Sequence, residues 1–287
     1  MKRPLQERIL ADRHDLQVRH AALFRADAGR RMLMAVVVAS LVALALYGCW
    51  RLDFSFDRLG SGAAQIAHIV ALMFPPSPGN QLPVFLQALA ETLAIALVGT
   101  LAAAILAFPM GLLAARNVVP NIFTHFATRR FLDMIRGVDV LIWALIFINV
   151  VGLGPFAGIL AIAASDFGTF GKLFSEAIEA SDKRATEGIL STGGSHLHVI
   201  RFALMPEVFP VLVSQVLYYF ESNTRSATII GIVGAGGIGM HLTEQIRTLE
   251  WDKASFLIMM ILVAVAVIDW ISARLRLAVI GRTSVVV

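Results

Sequence analysis

Ala254-Ser-Phe-Leu-Ile-Met-Met-Ile-Leu-Val-Ala-Val-Ala-Val-Ile-Asp-Trp-Ile-Ser-Ala273 is a run of twenty residues with a single charge, Asp269. A helix rises about 1.5 Å per residue, so this run reaches about 30 Å, the thickness of the hydrocarbon layer of a bilayer. Five more blocks of this kind precede it: Leu33–Trp50, Gln87–Leu113 with Pro109 near its end, Phe131–Val151, Pro155–Leu173 and Pro206–Ile230. The stretch Gly62–Phe74 is apolar but too short to span, and Pro75, Pro76, Pro78 and Gly79 after it mark a turn. The expected fold is all-α, a polytopic membrane protein with about six transmembrane helices.

Composition agrees. Of 287 residues 57% are hydrophobic and 15% charged, and the mean hydropathy is +0.76. A soluble domain of this length needs more charge to cover its surface. The sequence pI of 9.6 does not indicate a nucleic-acid partner, because the basic residues fall in short segments between apolar blocks. The lone cysteine, Cys49, lies in the first block and reads as a packing residue.

Basic residues orient the chain. With a cytoplasmic N-terminus, the cytoplasmic segments hold eight Lys/Arg before the first block, then Arg116, Arg129 and Arg130, then Lys172, Lys183, Arg184 and Arg201, then Arg274, Arg276 and Arg282. The opposite side receives Arg51, Arg58, Arg247 and Lys253. Such an excess places both termini in the cytoplasm. The organisation expected is a basic arm over residues 1–31 lying on anionic lipid as an amphipathic helix, a first span with its extracytoplasmic segment over 32–86, a main membrane domain over 87–277, and a cytoplasmic tail over 278–287. The first block follows a 31-residue basic arm and shows no small-residue cleavage site, so it reads as a retained span and not a signal peptide.

Between the fourth and fifth blocks lies a longer cytoplasmic loop. Ser181 or Asp182 is placed to cap a helix over Lys183–Thr192, Gly193 and Gly194 to end it, and Ser195 to cap a second helix running to Pro206. A helix pair of this form on the cytoplasmic face is a docking shape for a soluble partner. The loop resembles the Glu-Ala-Ala loop of ABC importer permeases, with Glu187, Gly193 and Pro206 matching the family's anchors and Gly188, Ile189, Ala203 and Met205 departing from it. The stretch from Phe220 to Gly239, together with Gly152–Gly158 and Ser175–Ala180, is similar to phosphonate-type (PhnE-like) permeases, and the likeness covers roughly residues 75–280.

That resemblance implies a type I ABC importer transmembrane domain in a bacterial inner membrane, a multi-pass binding-protein-dependent transport component. It implies docking of an ATPase subunit over 183–206, through Glu187, Gly188, Gly193, Gly194, Met205 and Pro206. The implied partners are two copies of that ATPase, which bind the ATP and Mg, an external solute-binding protein, and a second copy of this chain. The implied cargo is phosphonate, phosphite or a hypophosphite-like phosphorus oxyanion. No cofactor is expected in this chain, and it is expected not to be an enzyme, since the sequence has no phosphate-binding P-loop, nucleophile elbow or His-Glu-x-x-His. The seven histidines are scattered without metal-ligand spacing. A secondary transporter or channel for a small anion is the competing class, but it is expected to carry an internal repeat, and none is visible.

Gly234-Ala-Gly-Gly-Ile-Gly239 satisfies the G-x-G-x-x-G pattern of dinucleotide sites, yet it follows a membrane block and not a strand. It reads as a turn or re-entrant loop closing the outer end of a pathway, with Gly234, Gly236, Gly237 and Gly239 allowing tight packing. Ionisable groups inside blocks are costly and point to internal partners or a pathway. Those that stand out are Glu91, Arg136, Asp139, Glu221, Arg225 and Asp269. Arg136 and Asp139 are expected to share a helix face, as are Glu221 and Arg225. The segment Glu221-Ser222-Asn223-Thr224-Arg225-Ser226 is expected to line an anion pathway near the outer mouth, with Glu91 at similar depth and able to pair with Arg225.

Overall fold

The computed structural model describes residues 28–280 apart from Asp53. Most of the basic arm expected over residues 1–31, and residues 281–287 of the tail, lie outside the described residues. The chain divides between His68 and Ile69 into two compact units. In the first, α1 (Ala28–Arg51) is apolar all round, ends on Arg51 and exposes its large side chains, as a lipid-facing span does. The next helix, α2 (Phe56–Leu72), runs past His68 into the second unit, and its apolar part is too short to cross a bilayer.

The regular elements described in the second unit are all helices. Its first long helix is α3 (Leu82–Ala114), which has Pro83 in its first turn and Pro109 inside. The third apolar block is not one helix. It splits into α4 (Ile122–Arg136) and α5 (Val140–Val151), bent by 82°. The Asn121 side chain accepts from the Phe123 and Thr124 amides to start α4. The Asp139 side chain accepts from the Leu141 amide at 2.9 Å to start α5. Arg136 therefore ends one helix and Asp139 caps the next, so the shared face expected of them does not exist: the glycine between them, Gly137, closes α4 before Asp139 is reached. Then come α6 (Pro155–Glu179), α7 (Lys183–Ser191) and α8 (His196–Val199). A π-turn over Ile200–Leu204 leads without a break into α9 (Met205–Ile232), and α10 (Ile238–Arg247) and α11 (Trp251–Ile280) follow. Five helices are long and apolar enough to cross a membrane, and the bent α4–α5 pair makes a sixth crossing if counted as one span.

Helix α6 is the centre of this unit. Small residues let α3 and α6 approach closely: a Cβ on Gly99 would stand 2.9 Å from the Ile162 side chain, and one on Gly111 would stand 2.8 Å from that of Phe174. Phe170, Phe174 and Ile178 of α6 fill one buried cluster with Leu204, Val208 and Leu212. A second cluster joins Ile95, Ala96, Ile162 and Ile230. A third joins Phe85 of α3, Ile238 of α10 and Leu257 of α11, which brings the Leu82 end of α3 beside the Trp251 end of α11.

Candidate functional site

Helix α9 carries polar residues where a spanning helix is otherwise apolar. Its buried side presents Glu221, Asn223 and Thr224 to the protein, while Ser222, Arg225 and Ser226 lie half-buried or exposed on the other side. On the buried side the Asn223 amide donates to Thr100 Oγ1 of α3 at 2.8 Å and also to Asp166 Oδ2 of α6. Thr100 passes its own proton to the Ala96 carbonyl at 2.7 Å, so each group in the chain has a partner. Thr224 and Thr228 return their hydroxyls to carbonyls one turn back, at 3.0 and 3.2 Å, which keeps polar groups satisfied inside an apolar layer. On the open side Arg225 Nη1 donates to Glu221 Oε1 at 3.1 Å, and Arg276 Nη1 of α11 approaches Glu221 Oε2 at 3.5 Å.

Glu91 does not pair with Arg225. Its Oε1 accepts from the Gly237 amide at 3.0 Å, and the adjacent Thr92 Oγ1 accepts from the Ile238 amide at 2.8 Å. Two side chains of α3 thus satisfy the first free amides of α10. The depths differ for a definite reason. Thr100, which touches Asn223, lies nine residues beyond Glu91, about 13 Å further along α3. The turn after α9 is sunk below the helix ends, because Glu91 itself stands about 13 Å inside α3 from Leu82. Arg225 accordingly sits deep in the bundle, not near the mouth expected for it.

The turn is built from glycine. Gly234, Gly236 and Gly237 have φ of +105°, +83° and +72°, and Gly239 packs its Cα against the backbone of Thr228 and Gly231. A side chain on Gly237 would collide with Thr92, and one on Gly236 with Glu91 and Pro155. After the turn α10 runs back toward the Leu82 end, packed on Phe85 and Leu257.

At the opposite end, the loop helices are exposed. Asp182 caps α7 through the Arg184 amide at 2.9 Å, and its own amide donates to Glu207 Oε1 at 2.9 Å, tying the loop to the start of α9. Gly193 leaves α7 at φ +80°, and Gly194 follows against Ile189. Ser195 and His198 form a reciprocal cap on α8. Glu187 and Gly188 are exposed on α7, as is Pro206 in the first turn of α9, with Met205 half-buried beside it. Leu190, Leu197 and Phe202 leave an apolar face open on this loop. Behind it Glu179 receives the Arg116 amide at 2.9 Å and the Arg129 guanidinium at 2.8 Å, which ties the end of α6 to the turn after α3 and to the middle of α4.

Arg136 stands at the end of α4, where the absent side chain of Gly168 lets α6 approach its backbone. Neither Arg136 nor Asp139 joins the Glu221 group by any described ion pair. Asp166, Thr100 and Arg276 were not singled out by the sequence reading. Asp166 had a usable signal, an acid inside the fourth apolar block. Arg276 had none, since it sits among the basic residues of the final helix end.

The family described as the binding-protein-dependent transport system inner membrane component matches residues 107–280. The chain belongs to that family. Over 247 residues, 86% of each chain, it is 42% identical to HtxC of Stutzerimonas stutzeri, provisionally named a phosphite transport system permease. It is 39% identical over 248 residues to PhnE of Mycolicibacterium smegmatis, named a phosphate-import permease; that match covers 85% of this chain and 45% of the longer relative. Among solved structures, the inward-facing MetNI methionine ABC transporter shares its fold, with a TM-score of 0.62 at 18% identity over 71% of this chain and 99% of the other. This permease is therefore a multi-pass inner-membrane transport subunit, and the family's role is not catalytic.

Proposed function

We propose that this permease carries small phosphorus oxyanions (phosphonate, phosphite or hypophosphite) into the cell, and that Arg225 on the open face of α9 is the group they meet. The observation that carries this is a half-exposed guanidinium deep inside a membrane helix, flanked by the hydroxyls of Ser222 and Ser226. Lipid does not tolerate such a group, so the face borders protein or water. A guanidinium presents a planar fork that fits two oxyanion oxygens, and the two hydroxyls supply further hydrogen bonds. Names of relatives that match most of this chain support the substrate class.

In this reading the Leu82 and Trp251 ends face outward and both termini are cytoplasmic, as the bias of basic residues favours. The outer solute-binding protein releases its cargo above the glycine turn, Gly234–Gly239. A second copy of this chain supplies the facing wall of the pathway. Two ATPase subunits bind the ATP and Mg, hydrolyse the nucleotide and dock on residues 183–206, where Glu187, Leu190, Leu197 and Phe202 are open. Movement of the docked loop passes directly into α9, because α8, the π-turn and α9 are continuous.

The test is reconstitution of this chain with its ATPase and binding protein in liposomes. ATP-dependent uptake of labelled phosphite or methylphosphonate, with sulfate excluded, is the expected result. Uptake that proceeds without the ATPase, or none of any phosphorus oxyanion, overturns it.

A further inference from the structure

Glu221 is shared between two helices. Its Oε1 takes Arg225 from one turn along α9, and its Oε2 takes Arg276 from α11, at 3.1 and 3.5 Å. The three side chains are unequally exposed: 11% for Glu221, 24% for Arg276 and 50% for Arg225. The buried carboxylate thus has one sheltered cation and one open cation, and the group carries a net positive charge.

A buried carboxylate stripped of its partner is an uncompensated charge, and that penalty holds a simple pair shut. With Glu221 and Arg225 alone, an oxyanion would have to pull Arg225 away and leave Glu221 stranded. A second guanidinium changes this balance. When Arg225 turns to the open face, Glu221 still faces Arg276, so no charge is abandoned. We infer that Arg276 is a positioning residue for transport: it holds Glu221 so that Arg225 can pass between its carboxylate and a passing oxyanion. The ligand is a small tetrahedral anion that takes the place of Oε1 on Arg225. Arg276 does not touch it.

This rests on the oxyanion path proposed above, and the experiment separates the two. Import of phosphite is measured in liposomes carrying the full complex, over a range of loaded binding protein up to saturation, with assembly checked for every variant. Arg276→Gln lowers turnover by about tenfold or more, the scale of a lost charge-assisted hydrogen bond. The concentration of loaded binding protein giving half-maximal import is unchanged, because docking lies elsewhere. Arg276→Lys, which keeps the charge, restores most of the turnover. In a Glu221→Gln background, adding Arg276→Gln has no further effect beyond about twofold, since Arg276 acts only through the carboxylate. The inference is overturned if Arg276→Gln imports at the parental rate, or if it lowers import equally with and without Glu221. Should the single variant not assemble, the comparison within the Glu221→Gln background decides alone. Arg225→Gln serves as the separate arm: parental import in that variant removes the oxyanion path itself.

Discussion

Glu91 and Glu221 are both acids placed inside apolar helices, and they are used in opposite ways. Glu91 spends its oxygen on the Gly237 amide, a backbone group that goes nowhere. Glu221 spends its oxygens on two guanidiniums, one of them half-exposed. A carboxylate in a low-dielectric layer needs partners in either case. Whether those partners are backbone or side chain decides between a fixed cap and an exchangeable counter-ion. The glycine-turn region is therefore scaffold, and the α9 region is where charge can move.

The contrast can be broken most forcefully at the turn. Gly237→Val places a branched side chain at φ +72° against Thr92. Strain and overpacking together are expected to cost about 3 kcal/mol or more. The complex recovered from membranes should fall sharply, as size-exclusion yield would report. Parental yield with full import would show that the turn is not a rigid seat.

At Arg225 the outcome should reverse, with assembly kept and function lost. Arg225→Gln is expected to lower phosphite import by more than about tenfold, by loss of a charge-assisted contact, at unchanged yield. Smaller and more diagnostic is the pair of isosteric changes. Glu91→Gln keeps an acceptor for the Gly237 amide and should leave import close to parental. Glu221→Gln removes the charge that competes for Arg225 and should change import measurably in the same assay. Equal responses from the two glutamines would erase the distinction. The least effect is expected at the far loop: Asp182→Ala removes the cap of α7 and costs about 1 kcal/mol locally. Faster hydrogen exchange over residues 183–191, with import reduced only slightly, would report it.

The apolar blocks made the long helices legible, because length and composition alone define a span. The loop helices were legible too, since Asp182, Gly193 and Ser195 carry local cap chemistry. The break in the third block was not found, though Arg136-Gly137-Val138-Asp139 contains its punctuation: a glycine that closes one helix and an acid that caps the next. Hydropathy averages over such a four-residue corner. The partner of Glu91 was misassigned because depth was counted along α9 as though that helix reached the outer surface. It ends early, and the glycine turn sinks beside α3. Asp166 with Asn223, and Glu221 with Arg276, join residues 57 and 55 positions apart, and no local spacing encodes such pairs.

An aqueous oxyanion path along the open face of α9 is accessible to direct labelling. The chain has one cysteine, so Cys49→Ser gives a thiol-free background for site-specific labelling. Cysteines introduced at Ser222 and Ser226 in the assembled complex should react with a charged, water-soluble thiol reagent. Saturating phosphite should slow that reaction, and a cysteine at buried Ala96 should stay unreactive throughout. Ser222 and Ser226 positions as inert as Ala96, or reactive but indifferent to phosphite, would rule out such a path.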